Sequence, residues 1–252
     1  MADVSQCLSV IVPSYNEEAT IAQVVRKVLR LPAVLEVIVV NDCSRDRTAE
    51  IVQRLIAEDP RVRLLQHSVN RGKTAALQTG FAEVRGEIVI VQDADLEYDP
   101  EEIPEVIQPI IDGKADVVYG SRFLVRKASR VLYFYHFLAN KALTFTSNLF
   151  TNINLTDVET GYKAFRSQIM RNMKITSSGF GFEIEVTAKV SKLKCAMYEV
   201  PISYYGRTYE QGKKIGTMDG IAAFWYILRY NVFCDLNSSF TTIPTFPSHT
   251  EE

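Results

Sequence analysis

The chain has 252 residues, 47% of them hydrophobic and 23% charged, which is ordinary for a globular protein and long enough to bury a large core without staples. A formal net charge of −2 excludes the global basic field of a nucleic-acid binder. Cys7, Cys43, Cys195 and Cys234 show no C-x-x-C spacing, which excludes zinc and redox motifs and fits a reduced, cytoplasmic compartment.

The first residues, MADVSQ, carry no charged-then-apolar leader pattern. Residues 7–12 (CLSVIV) read as a buried strand, ended by Pro13-Ser14-Tyr15-Asn16. Residues 17–31 have helical periodicity in Ile21, Val24, Val25, Val28 and Leu29, and stop at Pro32. Residues 35–40 form a second strand, and Ser44 is placed to cap a helix over 46–58. A strand over 62–66, a helix over 73–84, a fully apolar strand over 88–91, a helix over 101–112 and a strand over 116–120 follow. Such alternation with short links predicts an α/β fold with a mostly parallel sheet covered on both faces.

After Arg122 the pattern changes. Residues 128–152 form a long aromatic-rich helical segment, followed by a short strand over 162–165, a helix over 181–193, a strand over 200–204 and an amphipathic helix over 217–233. Residues 235–252 are polar with two prolines, and the expectation is a disordered tail. Residues 221–233 are interrupted by Arg229 and Asn231, and no run reaches the roughly 18 apolar residues that span a bilayer.

The strand over 88–91 ends in Asp93 and Asp95, with Glu97 two residues on. Carboxylates at the C-terminal end of a strand in an open α/β sheet sit where such folds bind ligands, and they suit a hard divalent cation carrying phosphates. A polar turn is the plain alternative. No G-x-G-x-x-G exists, and Gly72-Lys73-Thr74 is not a P-loop, because His67 stands where that motif needs glycine. Pro13 to Glu17 and Asn41-Asp42 end strands on the same edge as the acids. Acids there can accept from a ribose hydroxyl or a base N–H, and Tyr15 can stack on a base; helix capping accounts for each alone. Two basic groups, Arg122-Arg126-Lys127-Arg130 and Arg207-Lys213-Lys214, stand out in a chain of net charge −2, and arginine suits bidentate phosphate contact.

Taken in order, Pro13-Ser14-Tyr15-Asn16-Glu17, Asn41 to Thr48, Asn70-Arg71-Gly72-Lys73 and Asp93-Ala94-Asp95 resemble the motif set of family 2 glycosyltransferases of GT-A fold, over roughly residues 7–233. The relatives this suggests are polyprenyl- and dolichyl-phosphate sugar synthases. The resemblance implies a single catalytic domain over 1–234, with a nucleotide-sugar half at 7–122 and an acceptor half at 123–234. It implies that Pro13, Tyr15, Glu17, Asp42 and Lys73 serve the donor nucleotide, and that Asp93 and Asp95 hold Mg²⁺ or Mn²⁺ on its diphosphate. Glu97 stands where the dolichyl-phosphate synthases often carry Gln, and is a possible third ligand. Arg122, Arg130 and Arg207 would hold phosphates of donor and acceptor, and the loop with Lys213 and Lys214 could close over the donor. The donor would be GDP-mannose or UDP-glucose and the acceptor a polyprenyl phosphate.

A lipid monophosphate is largely anionic near neutral pH and needs no base to attack the sugar C1; a hydroxyl acceptor needs one. Base candidates are Asp157 and Glu159, or Glu183 and Glu185, and the last two fall on different sides of a helix. In-line attack predicts inversion. The aromatics over 131–150 and 221–233, with Lys127, Arg130, Lys141 and Arg229 nearby, suit an interfacial helix pair on the cytoplasmic face of a membrane, a core, or a homo-oligomer face. The alternatives to lipid-phosphate transfer are transfer to a hydroxyl of a glycolipid or saccharide, and a catalytically silent nucleotide-sugar-binding protein.

Overall fold

The computed structural model describes residues 6–124, 133–206 and 217–246. In chain order the strands are β1 (Leu8–Ser14), β2 (Val34–Asn41), β3 (Val62–Gln66), β4 (Ile88–Val91), β5 (Val117–Ser121), β6 (Lys163–Arg166) and β7 (Met197–Pro201). The helices are α1 (Ile21–Leu29), α2 (Thr48–Glu58), α3 (Lys73–Ala82), α4 (Ile103–Ile111), α5 (Phe134–Thr151), α6 (Ser167–Asn172), α7 (Phe182–Leu193), α8 (Thr217–Val232) and α9 (Leu236–Ser239).

The strands make one 7-stranded sheet in the order β3-β2-β1-β4-β6-β5-β7. Only β6 runs against its neighbours, β4 and β5. Residues of the central strands alternate between two cores. Val10, Val12, Val37 and Val39 pack with α1, α2 and α4 on one face. Ile11, Ile38, Val40 and Val89 pack with α3, α6 and α7 on the other. Each such buried Val or Ile contributes about 1.5–3 kcal/mol of transfer free energy, and burial on both faces explains why these strands read as unbroken apolar runs. A third, smaller cluster joins Leu143 of α5, Ile184 of α7 and Ile227 of α8.

Several expectations are corrected. Ser44 does not cap α2: its hydroxyl accepts from the backbone N–H of Asn16 at 3.0 Å, and the Asp46 carboxylate serves Thr48 instead, at 3.0 and 2.6 Å. The last strand is Met197–Pro201 rather than 200–204, because β7 is a half-exposed edge strand without a continuous apolar run. The tail does not leave the body at residue 235. Asp235 caps α9 through the Ser238 N–H at 2.6 Å. Lys174 N–H then donates to Ser239 O at 2.9 Å, Thr241 N–H donates to Asn172 O at 2.8 Å, and the Phe240 ring is buried. Backbone bonds and one aromatic anchor order this stretch, where composition showed only polarity. Residues 247–252 lie outside the described residues.

Candidate functional site

Because β1, β2 and β4 run parallel, their C-terminal ends deliver three loops to one edge. The loops after β1 and β2 are laced together. Arg45 N–H donates to Asn16 Oδ1 at 2.8 Å, Glu18 N–H to Asp46 at 3.0 Å, and Glu17 N–H to Thr48 Oγ1 at 2.9 Å. Pro13, next to last in β1, is half-buried, and Tyr15, just past the strand, is 40% exposed. The Glu17 carboxylate accepts from Thr20 at 3.0 Å.

Asp42 is nearly fully buried. Its carboxylate accepts from the N–H groups of Arg71 at 2.9 Å and Gly72 at 2.7 Å, and pairs with His67 Nδ1 at 2.6 Å. A carboxylate only accepts, so His67 Nδ1 carries a proton, and its Nε2 lies 2.9 Å from the Thr79 hydroxyl. Asp42 therefore fastens the turn that starts α3. Gly72 sits there at φ +86, a conformation that disfavours other residues.

The turn delivers Lys73, whose Nζ lies 2.7 Å from Asp93 and 3.9 Å from Glu183. Desolvation alone would lower this ammonium; the Asp93 and Glu183 carboxylates more than offset that and hold it above its ordinary range. The other Asp93 oxygen lies against Gly161, where a Cβ would come within 2.9 Å of it. Asp95 accepts from the Glu97 N–H at 3.1 Å, across a turn in which Leu96 adopts φ +62. Asp93 and Asp95 are hard oxygen donors at a half-open strand end, and such a pair suits Mg²⁺ or Mn²⁺ whose remaining ligands are phosphate oxygens. Glu97, the expected third ligand, has a protein partner of its own. Its carboxylate accepts from the Tyr204 hydroxyl at 2.7 Å, and among the described residues no three His, Cys, Asp or Glu side chains group to hold a metal.

Arg122 leaves the end of β5. Its Nε lies 2.6 Å from Asp157 Oδ2 and its Nη2 2.7 Å from Oδ1, with the Arg122 N–H adding a third bond at 3.2 Å. Asp157 is fully buried, so this candidate base is committed to Arg122. Two residues on, Glu159 Oε1 is buried with no hydrogen-bond partner. Burial, then the like charge of Glu183, push its carboxyl up to about 7. Lys163 is buried, donates to Val158 O at 3.0 Å and to Thr160 O, and is lowered by burial to about 8. The two acids on α7 take different sides, as the spacing requires. Glu183 lies near Lys73, whereas Glu185 accepts from Thr176 and Ser177 N–H at 2.8 and 2.7 Å and pairs with Lys189 at 2.5 Å.

Tyr98, Tyr162 and Tyr204 were not singled out from the sequence. Tyr98 stacks on Tyr162 at 4.8 Å and meets Tyr204 at 5.3 Å. The Tyr98 hydroxyl accepts from Gly161 N–H at 2.9 Å. Their only visible trace was the richness in tyrosine. Arg130, Arg207, Lys213 and Lys214 lie outside the described residues.

Next to the site, α5 exposes Phe134, Tyr135, Phe145 and Leu149, and α8 exposes Trp225, Leu228 and Val232. Lys141 turns inward instead, 4.1 Å over the Phe123 ring. Among the described residues no helix is long and apolar enough to cross a membrane.

Comparison with known proteins places this geometry. The model of glycosyl transferase family 2 matches residues 9–173. An undecaprenyl-phosphate mannosyltransferase of Micrococcus luteus is 28% identical, over 87% of this chain and 96% of that protein. A dolichol-phosphate mannosyltransferase of Pyrococcus furiosus is 30% identical, over 83% of this chain and 59% of that protein. A crystal structure of glucosyl-3-phosphoglycerate synthase from Mycobacterium tuberculosis, in complex with Mn²⁺, uridine diphosphate and phosphoglyceric acid, superposes with a TM-score of 0.69 at 20% identity, covering 93% of this chain and 81% of that one. The fold is the GT-A fold.

Proposed function

The chain belongs to glycosyl transferase family 2, and from that premise we propose that it moves a single hexose from a nucleotide sugar, GDP-mannose or UDP-glucose, to a polyprenyl phosphate, with inversion at C1. The named activities of the Micrococcus and Pyrococcus relatives support this acceptor. The observation that carries the reading is the closed Arg122–Asp157 pair. It engages the candidate base with a guanidinium and leaves that guanidinium's remaining N–H donors at the strand edge, an arrangement suited to an acceptor that is itself an anion.

Tyr15 offers a ring for the donor base, and Pro13 and Glu17 line the same loop. Asp42 acts through the turn it holds, which aims Lys73 at the acids. A divalent cation held by Asp93 and Asp95 would offset charge developing on the leaving diphosphate. Lys73 adds a fixed positive charge beside Asp93. Arg122 has further N–H donors beyond the two that grip Asp157, and these serve phosphate oxygens. An acceptor phosphate oxygen forms the new bond to C1 as the bond from C1 to the diphosphate breaks, and the nucleoside diphosphate departs. The exposed aromatics of α5 and α8 rest the protein on a membrane surface, where such an acceptor resides.

A second reading, transfer to a hydroxyl, is favoured by one observation: the unpartnered Glu159 oxygen and its raised carboxyl could accept a proton. A thermal-shift screen of nucleotide sugars with Mn²⁺, followed by transfer of labelled sugar from the stabilising donor to a short polyprenyl phosphate, tests the proposal. No organic-extractable label with any donor would refute it.

A further inference from the structure

The acidic turn after β4 is fastened to the far side of the site by residues remote in sequence. Tyr205 N–H donates to Glu97 O at 2.8 Å, and the Tyr204 hydroxyl donates to Glu97 Oε2 at 2.7 Å. Ser203 adds two bonds to the Glu102 carboxylate, both 2.8 Å. The centroid of the same Tyr204 ring lies 5.2 Å from the Arg122 guanidinium carbon, and the ring meets Tyr98 at a tilt of 49°. One side chain thus touches the carboxylate next to the metal pair with its hydroxyl and the phosphate-binding arginine with its ring.

We propose that Tyr204 is a positioning residue that couples Arg122 to the Asp93–Asp95 turn, and that Glu97 serves it as a hydrogen-bond acceptor rather than serving the metal as a ligand. This rests on the metal reading above. The guanidinium is held on two sides, by the Asp157 carboxylate and by the Tyr204 ring through a cation–π contact. The turn is held through Glu97. With two protein carboxylates in place of three, a bound cation would draw its remaining ligands from the donor diphosphate and water, so it would bind more tightly together with the nucleotide.

The experiment combines Mn²⁺ titration, read by the electron paramagnetic resonance of the free ion, with kinetics of Glu97 and Tyr204 variants. Wild type should bind Mn²⁺ at least tenfold more tightly with UDP or GDP than without. Glu97→Gln, whose amide oxygen still accepts from Tyr204, should keep Mn²⁺ affinity within about threefold and keep most of kcat. Tyr204→Phe and Glu97→Ala should each lower kcat about tenfold with donor KM little changed. The double variant should be no worse than either single one, the signature of a coupled pair. Melting temperatures identify a variant that fails to fold, and Glu97→Gln and Tyr204→Phe then carry the test. A tenfold loss of Mn²⁺ binding in Glu97→Gln would make Glu97 a ligand and overturn the proposal; additive losses in the double variant would overturn the coupling. Asp95→Asn binding Mn²⁺ as tightly as wild type would instead overturn the metal reading itself.

Discussion

Arg122 and Asp157, 35 residues apart in the chain, meet as a two-bond ion pair with contacts of 2.6 and 2.7 Å. The Asp157 side chain is fully buried and that of Arg122 is 13% exposed. Removing one partner of such a pair costs about 3–5 kcal/mol, because the other charge is left uncompensated. Asp157→Asn should therefore lower Tm by several degrees and kcat about a hundredfold, while the pH–rate profile keeps its shape. A base would behave differently, since its loss removes a limb of that profile. Arg122→Lys should fare little better than Arg122→Ala, because an ammonium cannot make the parallel bonds.

The acid pair predicts a metal requirement with a defined residue signature. Chelation should abolish transfer, and Mn²⁺ or Mg²⁺ should restore it. Asp95→Ala should retain no more than about 1% of turnover, a loss typical of removing electrostatic stabilisation of a leaving group. Lys73→Met removes the cation 2.7 Å from Asp93 and should raise donor KM about tenfold. Steady-state kinetics with each metal check both.

Glu159 predicts a pH dependence of stability. Its folded carboxyl titrates near about 7, against 4.5 ordinarily, so the native state binds this proton more tightly than the unfolded chain. The stability it contributes is fully present below about 4.5 and is lost as pH rises through about 7. Lys163, lowered to about 8, acts in the opposite sense and above that window. Glu159→Gln should thus flatten the fall of Tm between pH 5 and 7.5. Relative to wild type it gains on the order of 1 kcal/mol across that range, or roughly 2–4 °C. Thermal melts at four pH values decide it.

Much of this was legible in the chain. β1, β2, β4 and β5 were readable because each carries an apolar run buried on both faces, and the site edge followed from where those runs stop. Strand direction was not readable: nothing in the residues of β6 marks it as the one antiparallel strand. The edge strand β7 was misplaced because its residues are half-exposed. The Arg122 partner of Asp157 was not legible for a different reason. It lies 35 residues away, and the partner of Glu97 lies 107 away. Composition and spacing report which carboxylates are near a site, and only the fold shows which of them are already bonded.

The exposed faces of α5 and α8 predict membrane binding separable from folding. Phe145 and Leu149 are 71% and 72% exposed, so Phe145→Glu/Leu149→Glu should change stability by less than about 1 kcal/mol. Burying each side chain in an interface is worth about 1.5–3 kcal/mol. Sedimentation with anionic vesicles should therefore drop at least tenfold for the double variant.

The proposed acceptor is already an anion. The most direct test presents purified protein and labelled nucleotide sugar with a short polyprenyl phosphate in one reaction and the matching polyprenol in another. Label should enter the organic phase only with the phosphate, in an acid-labile product, and Glu159→Gln should transfer it nearly as well as wild type. Equal or faster transfer to the polyprenol, abolished by Glu159→Gln, would contradict the account and establish a base-assisted transferase acting on hydroxyl groups.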